Sequence, residues 1–283
     1  MNLSVQEMTT DINELVTLPD ICIKVTAMVE DENSSIEDVA AVISQDPGLT
    51  LKILKISNSA MYGFVSKVDT VARAITLLGT RQVTDLVLAT SAFDTFKGIA
   101  NDLVTMEDFW SHSILCGLAA NKLSKLCGLR NAEGLFVAGL LHDIGQLVLF
   151  NRLPEQSQQA ILLSMEGAEG YEMHDAESSI IGFNHMELGL SLADQWNLPL
   201  YLKYCIGYHH CPQQAPDFKQ EVSIINIANT IAVLAELNSV DPDLGPAVDD
   251  FAWQQTGLDT SVFPQVIDSI AKEYDEIESL LKM

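Results

Sequence analysis

Apolar residues recur every three to four positions along most of this chain, and no series of alternating apolar and polar residues is long enough to build a sheet. The pattern predicts an all-α protein. Leu18-Pro19 opens a first helix that runs to about Glu30, with the proline suited to a first turn. Ser35, with Asp38 three residues on, reads as the N-cap of the next helix, and Asp46-Pro47-Gly48 starts another that reaches Ile56. Asn58 to Gly63 reads as a turn. Val71 to Leu78 is a short helix closed by Gly79, and Arg81 to Phe96 a longer one.

Further on, Asp108 to Leu126 is amphipathic, with Gly128 ending it. A helix follows Pro154 to about Glu166, and 167–175 reads as loop. Ser178 to Trp196 reads as one strong helix, and Pro199 restarts a helix that reaches His209 and His210 before Cys211-Pro212 stops it. Glu221 to Glu236 is apolar on most of its surface and therefore buried. The last helix, about Ser261 to Leu281, has an acidic outer side. The segment Asp241 to Gly245 is turn-rich and reads as a loop inside a compact unit.

One stretch breaks the rule that polar side chains stay off apolar faces. Gly134 to Phe150 is among the most apolar runs in the chain, yet His142 and Asp143 stand side by side in its middle. A buried imidazole beside a buried carboxylate is costly unless a metal ion or a private hydrogen-bond network compensates both. Other ligand-type side chains also fall on apolar helices, namely His112, His185, His209 and His210. Imidazole and carboxylate donors together suit iron, zinc, manganese or nickel, and a helical bundle can aim such donors inward from several helices. His174 lies in the polar loop and needs no special role.

Composition narrows the partners. The net charge is −24, from 15 Lys and Arg against 39 Asp and Glu, which leaves little to neutralise phosphates along a nucleic acid. No apolar run approaches the roughly 20 residues of a membrane helix, and the N-terminus lacks the basic start and apolar core of a signal peptide. Five widely spaced cysteines without a CxxC pair suit a reduced, cytoplasmic protein. There is no glycine-rich phosphate loop, nucleophile elbow or dinucleotide fingerprint.

Leu141-His-Asp-Ile-Gly145 resembles the signature of the HD superfamily of metal-dependent phosphohydrolases, and the wider pattern resembles its HDOD branch over roughly residues 14 to 235. The resemblance is carried by Asp46-Pro-Gly-Leu-Thr50, Asn58-Ser-Ala60, Ala74-Ile75 with Leu78-Gly79, and Phe109-Trp-Ser-His112. Gly182-Phe-Asn-His185 with Gly189 and Trp196, Tyr208-His-His-Cys-Pro212, and Ala228-Asn229 complete it. It implies an HD/HDOD-type helical bundle with two contiguous lobes, 14–100 and a histidine lobe 101–236, flanked by an N-terminal extension 1–13 and a C-terminal helical extension 237–283. It also implies one or two divalent transition ions held by His112, His142, Asp143, His185, His209 and His210. Asn229 stands at the final ligand position, Asp108 is an added ligand by resemblance to relatives with a carboxylate there, and Asp143 is the catalytic group if the site is active.

Three departures from the active pattern matter. Asn229 replaces an aspartate, Gln146 stands where the active cyclic-dinucleotide branch has lysine, and Cys-Pro-Gln-Gln follows the paired histidines in place of Gly-Tyr-Pro. The expected role is thus a cytoplasmic signal-transduction module that answers to a signalling protein or a small phosphate or nucleotide ligand, without hydrolysing cyclic di-GMP. An active phosphohydrolase of phosphomonoesters or phosphodiesters and a metal-free scaffold are the alternatives. Neither nucleic acid nor membrane is an expected partner.

Overall fold

In the computed structural model the described residues are 5, 18–31, 33–96, 104–129, 132–166 and 172–282. Helices account for almost all of their regular structure, and there is no strand among them. The extension 1–13 lies outside the described residues but for Val5. Residues 104–271 make one compact unit, and residues 18–96 with 272–282 make a second.

The second unit holds α1 (Asp20–Glu30), α2 (Ile36–Ile43), α3 (Pro47–Ser57), α4 (Val71–Leu78) and α5 (Thr80–Thr95). Their starts are those the caps announce. Ser35 and Asp38 form a reciprocal capping box, and the Asp46 side chain accepts from the Leu49 amide. The core is mostly aliphatic, with Ile43, Ile53, Ile56, Ile75 and Leu86 sealed from solvent together with Phe93 and Phe96. After α3, the Asn58 side chain ties the helix end to the segment that follows it. Its side-chain amide donates to the carbonyls of Leu54 (2.6 Å) and Val68 (2.7 Å), and its Oδ1 accepts from the Val68 amide at 2.8 Å. This pins the buried Val68 against the end of α3. We expect Asn58→Ala to cost about 1–3 kcal/mol by orphaning those backbone groups, a fall of several degrees in melting temperature with metal content unchanged. An unshifted melt would show the turn to be held by something else.

The first unit contains α6 (Met106–Leu126), α7 (Ala132–Leu141), α8 (Ile144–Arg152), α9 (Pro154–Glu166), α10 (Met173–Ile181), α11 (His185–Gln195), α12 (Leu200–Tyr208), α13 (Lys219–Glu236) and α14 (Asp250–Thr256). The final helix, α15 (Phe263–Leu281), begins within this unit's residues and ends within the other's. Two differences from the sequence pattern matter for the site. The span Ser178 to Trp196 is two helices: Gly182 takes a left-handed φ of 97° and ends α10, and Asn184 with Glu187 forms a capping box that starts α11. Met173–Asp175, read as loop, is already helical in α10.

The apolar stretch is also broken, at His142 and Asp143, into α7 and α8. By length and composition Ala132–Arg152 could cross a membrane (hydropathy 1.4), contrary to the expectation that no run approaches that length, but 89% of its most apolar 18-residue window is buried inside the fold. Its apolarity is that of a core element. Two glycine contacts let these helices close up. A Cβ on Gly139 of α7 would lie 2.7 Å from the Gly117 backbone of α6, and one on Gly145 of α8 would lie 2.0 Å from the carbonyl oxygen of His185 at the start of α11.

Candidate metal centre

The turn between α7 and α8 carries the core of the site. His142 is fully buried and Asp143 nearly so. The first residue of α11 supplies His185, the end of α12 supplies His209 and His210, and α6 contributes His112. All of these side chains but His112 stand at helix ends, so a small change in helix packing would move the donors. Ring centroids run His112–His142 5.4 Å, His142–His209 4.9 Å, His185–His209 5.3 Å and His209–His210 4.3 Å.

Hydrogen bonds on the outer nitrogens decide what the inner ones can do. His142 Nδ1 faces the Gly139 carbonyl at 2.7 Å and His209 Nδ1 the Ile206 carbonyl at 3.0 Å. His185 Nδ1 faces Glu177 Oε2 at 2.6 Å. Carbonyls and carboxylates only accept, so each Nδ1 carries the proton and each Nε2 of the neutral rings presents a lone pair inward. Those lone pairs converge on one another and on a carboxylate. Asp143 Oδ1 lies 3.4 Å from His185 Nε2 and 3.3 Å from His209 Nε2, and the two nitrogens are 3.3 Å apart. On the other side, His142 Nε2 is 3.2 Å from Asp143 Oδ2. Neither His142 Nε2 nor Asp143 Oδ1 makes a hydrogen bond.

Acceptors facing acceptors repel unless a cation or a proton stands among them. Ligands about 2.0–2.1 Å from a tetrahedral ion are separated by roughly 3.3 Å, which is the edge of the triangle formed by Asp143, His185 and His209. One ligand atom from each of Asp143, His185, His209 and His210 lies within 4.8 Å of the others, and the same holds for His112, His142 and Asp143. The residues present fit a divalent transition ion by donor type, spacing and unsatisfied lone pairs. Titration in the metal-free cluster is divided. Burial drives His209 down to about 4, and burial with the neighbouring His209 and His185 holds His210 well below the imidazole range. Burial opposes charge on His142 too, but Asp143 and then Cys116 outweigh it and raise His142 well above that range. His185 is raised against burial by Glu177 and then Asp143. Asp143 stays ionised in spite of burial because His142 holds its carboxyl well below the usual value.

The remaining expected positions are placed differently. Asn229, buried on α13, meets His112 Nε2 through Oδ1 at 2.9 Å, and Glu236 meets His112 Nδ1 at 3.2 Å. His112 is therefore held from both sides by protein groups. Asp108 is exposed and caps α6, accepting from the Thr105 amide (3.2 Å) and hydroxyl (2.6 Å); it is not in either of those groups of converging ligand atoms.

Glu177 was not singled out by the sequence pattern. It is fully buried on α10 and accepts from both Nδ1 and the backbone amide (2.8 Å) of His185. A carboxylate behind a ligand imidazole fixes the tautomer and strengthens the donor. It lies in a polar-looking segment, so hydropathy carries no signal for it. His174, which the sequence places in a polar loop, stacks on His210 with centroids 4.8 Å apart.

Comparison with known proteins agrees with this architecture. A family model described as HDOD domain matches residues 15–212. An uncharacterized protein of Treponema pallidum (strain Nichols) is 25% identical over 238 residues, which cover 81% of this chain and 45% of that relative. The chain thus matches less than half the length of that relative. Among solved structures, an HDOD domain protein from Geobacter sulfurreducens has 23% identity and a TM-score of 0.75, covering 98% of this chain and 96% of its own. A presumptive phosphohydrolase from Shewanella amazonensis SB2B has 22% identity and a TM-score of 0.74, with 97% of both chains covered. A presumptive signal transduction protein from Marinobacter aquaeolei VT8 has 21% identity and a TM-score of 0.73, covering 100% of this chain and 63% of its own. At these identities the likeness is one of fold.

Proposed function

The chain belongs to the HDOD family, and on that premise we propose that it is a signal-transduction module whose histidine pocket holds a divalent transition metal (Fe, Mn, Zn or Ni) for regulation more than for turnover. The observation that carries this reading is the pairing of Asn229 with His112. A carboxylate at that position would add an anion to the metal cluster, whereas the amide is neutral and already engaged. A bound ion would supply Lewis acidity and an activated water. The chain's own residues bind and orient: Asp143, His142, His185, His209 and His210 as ligands, and Glu177 holding the His185 ring. The surrounding aliphatic core excludes bulk water. In this reading a protein partner or a small phosphate ligand acts on the helix ends that carry the donors, and the partner is no nucleic acid, given the net charge of −24. That the five cysteines stand free supports a reducing, cytoplasmic setting.

A second reading, a phosphohydrolase of mono- or diesters, is favoured by the Asp143 carboxylate and three imidazoles converging on one pocket, a donor set that would hold an ion able to activate water. Elemental analysis of the purified protein together with turnover of a generic phosphate ester tests the two. We expect stoichiometric metal and turnover far below ~1 s⁻¹, the low end for enzymes; turnover at that rate would overturn the regulatory reading, and a metal-free protein that takes none up would overturn both. Asn229→Asp is expected to tighten Mn²⁺ binding by about tenfold, the equivalent of about 1.4 kcal/mol, read as a larger Mn²⁺-induced rise in melting temperature. If the variant melts lower and Mn²⁺ does not restore it, Asn229 has no part in the site.

A further inference from the structure

His210 has a second set of neighbours besides those of the buried pocket. Glu172 Oε2 lies 3.2 Å from His210 Nδ1 and 3.5 Å from His174 Nδ1. One ligand atom from each of the three residues lies within 4.8 Å of the others. The His174 and His210 rings lie nearly parallel, 23° apart. Hydrogen bonding does not explain His174: its Nδ1 is buried and makes no hydrogen bond, and its Nε2 is 3.6 Å from Asp175 Oδ1, beyond bonding range. Side-chain exposure is 31% for Glu172, 23% for His174 and 11% for His210, against 0% for His142, His185 and His209. This cluster is open to solvent where the first is sealed.

We propose that Glu172, His174 and His210 form a second cation site, for a divalent first-row transition metal, adjoining the buried pocket through His210. Two imidazoles and a carboxylate are a donor set that zinc and iron take with coordination positions left for water or a ligand. The separations from the carboxylate oxygen, 3.2 and 3.5 Å, bracket the roughly 3.3 Å expected between ligands of one tetrahedral ion. His210 is also 4.3 Å, ring to ring, from His209 and 5.3 Å from His185. A neutral imidazole offers one lone pair, so His210 serves one ion at a time. The two sites are coupled: an ion in the outer site takes His210 away from the inner one, which makes the outer site the weaker and the exchangeable of the two. The proposal rests on the metal-binding reading of the inner pocket.

The full chain, stripped with a chelator and dialysed, is titrated with Zn²⁺ alone, following heat and bound metal. The expected result is two equivalents, one tight and one weaker. His174→Ala and Glu172→Gln should each weaken the second equivalent at least tenfold and leave the tight one in place, while Asp143→Ala removes the tight one. A Co²⁺ titration gives a second readout, because the visible spectrum of the weaker equivalent should vanish in His174→Ala. If the wild type takes up one equivalent, and His174→Ala binds it unchanged, the outer site does not exist although the inner pocket does. Uptake of a second equivalent only near ~1 mM Zn²⁺, or loss of both equivalents in His174→Ala, also overturns the proposal. No uptake at all removes the inner pocket together with it.

Discussion

Replacing His142 and Asp143 together by alanine is expected to abolish tight metal binding. Asp143 reaches three imidazoles, with Oδ1 at 3.4 Å from His185 and 3.3 Å from His209 and Oδ2 at 3.2 Å from His142. Its loss removes the only anion among those donors, and loss of His142 removes a nitrogen that has no other bond to make. Changes to outer-shell partners cost about 10- to 100-fold in metal affinity, so removing two direct donors should exceed a hundredfold. The fold itself is the complication. Breaking a buried charge pair costs about 3–5 kcal/mol when one partner is left uncompensated, and removing both members avoids the worst of that. Asp143→Asn, which keeps the shape and loses the charge, separates the two effects. It should retain a cooperative melt while its metal content drops. Wild-type metal content in a folded His142→Ala/Asp143→Ala protein would place the ion elsewhere.

Gly145→Ala is expected to damage the protein as severely, although alanine ordinarily favours a helix over glycine by about 1 kcal/mol. The added methyl would sit 2.0 Å from the His185 carbonyl oxygen, 2.9 Å from its carbonyl carbon and 2.8 Å from the Gly189 nitrogen. These are backbone atoms, so no rotamer change relieves the contact; α8 and α11 must part by on the order of 1 Å. Overpacking of this kind costs about 1–3 kcal/mol and occasionally more, and the displaced element begins with His185. Lower thermal stability should therefore come with weaker metal binding, though residue 145 donates nothing to an ion. An unchanged or raised melting temperature would mean that the two helices do not cross this closely.

How much of this was legible in advance differs by level. The helical period and the caps are local properties, which is why Ser35 with Asp38, Asp46 before Pro47 and Gly79 after Leu78 mark helix ends in the sequence and in the fold alike. The sequence likewise singled out His112, His142, Asp143, His185, His209 and His210, because each is a ligand-type side chain on an apolar background. Breaks inside strongly apolar or amphipathic runs were not legible. Helix-type apolar spacing resumes on the far side of Gly182 and of His142-Asp143, while the backbone turns at both, since helix ends are chosen there by packing against other elements.

The sequence by itself determined the helical class, most helix starts and the inventory of donors. Tertiary structure decided which nitrogen of each imidazole faces inward, that Glu177 stands behind His185, that Asn229 is spent on His112, and that Glu172 and His174 come up beside His210. The physical reason is that a periodic pattern reports which side of a helix is buried. The direction of a lone pair depends on partners eight to more than a hundred residues away, as between His185 and Glu177 or His112 and Asn229, and those meet only once the helices have packed.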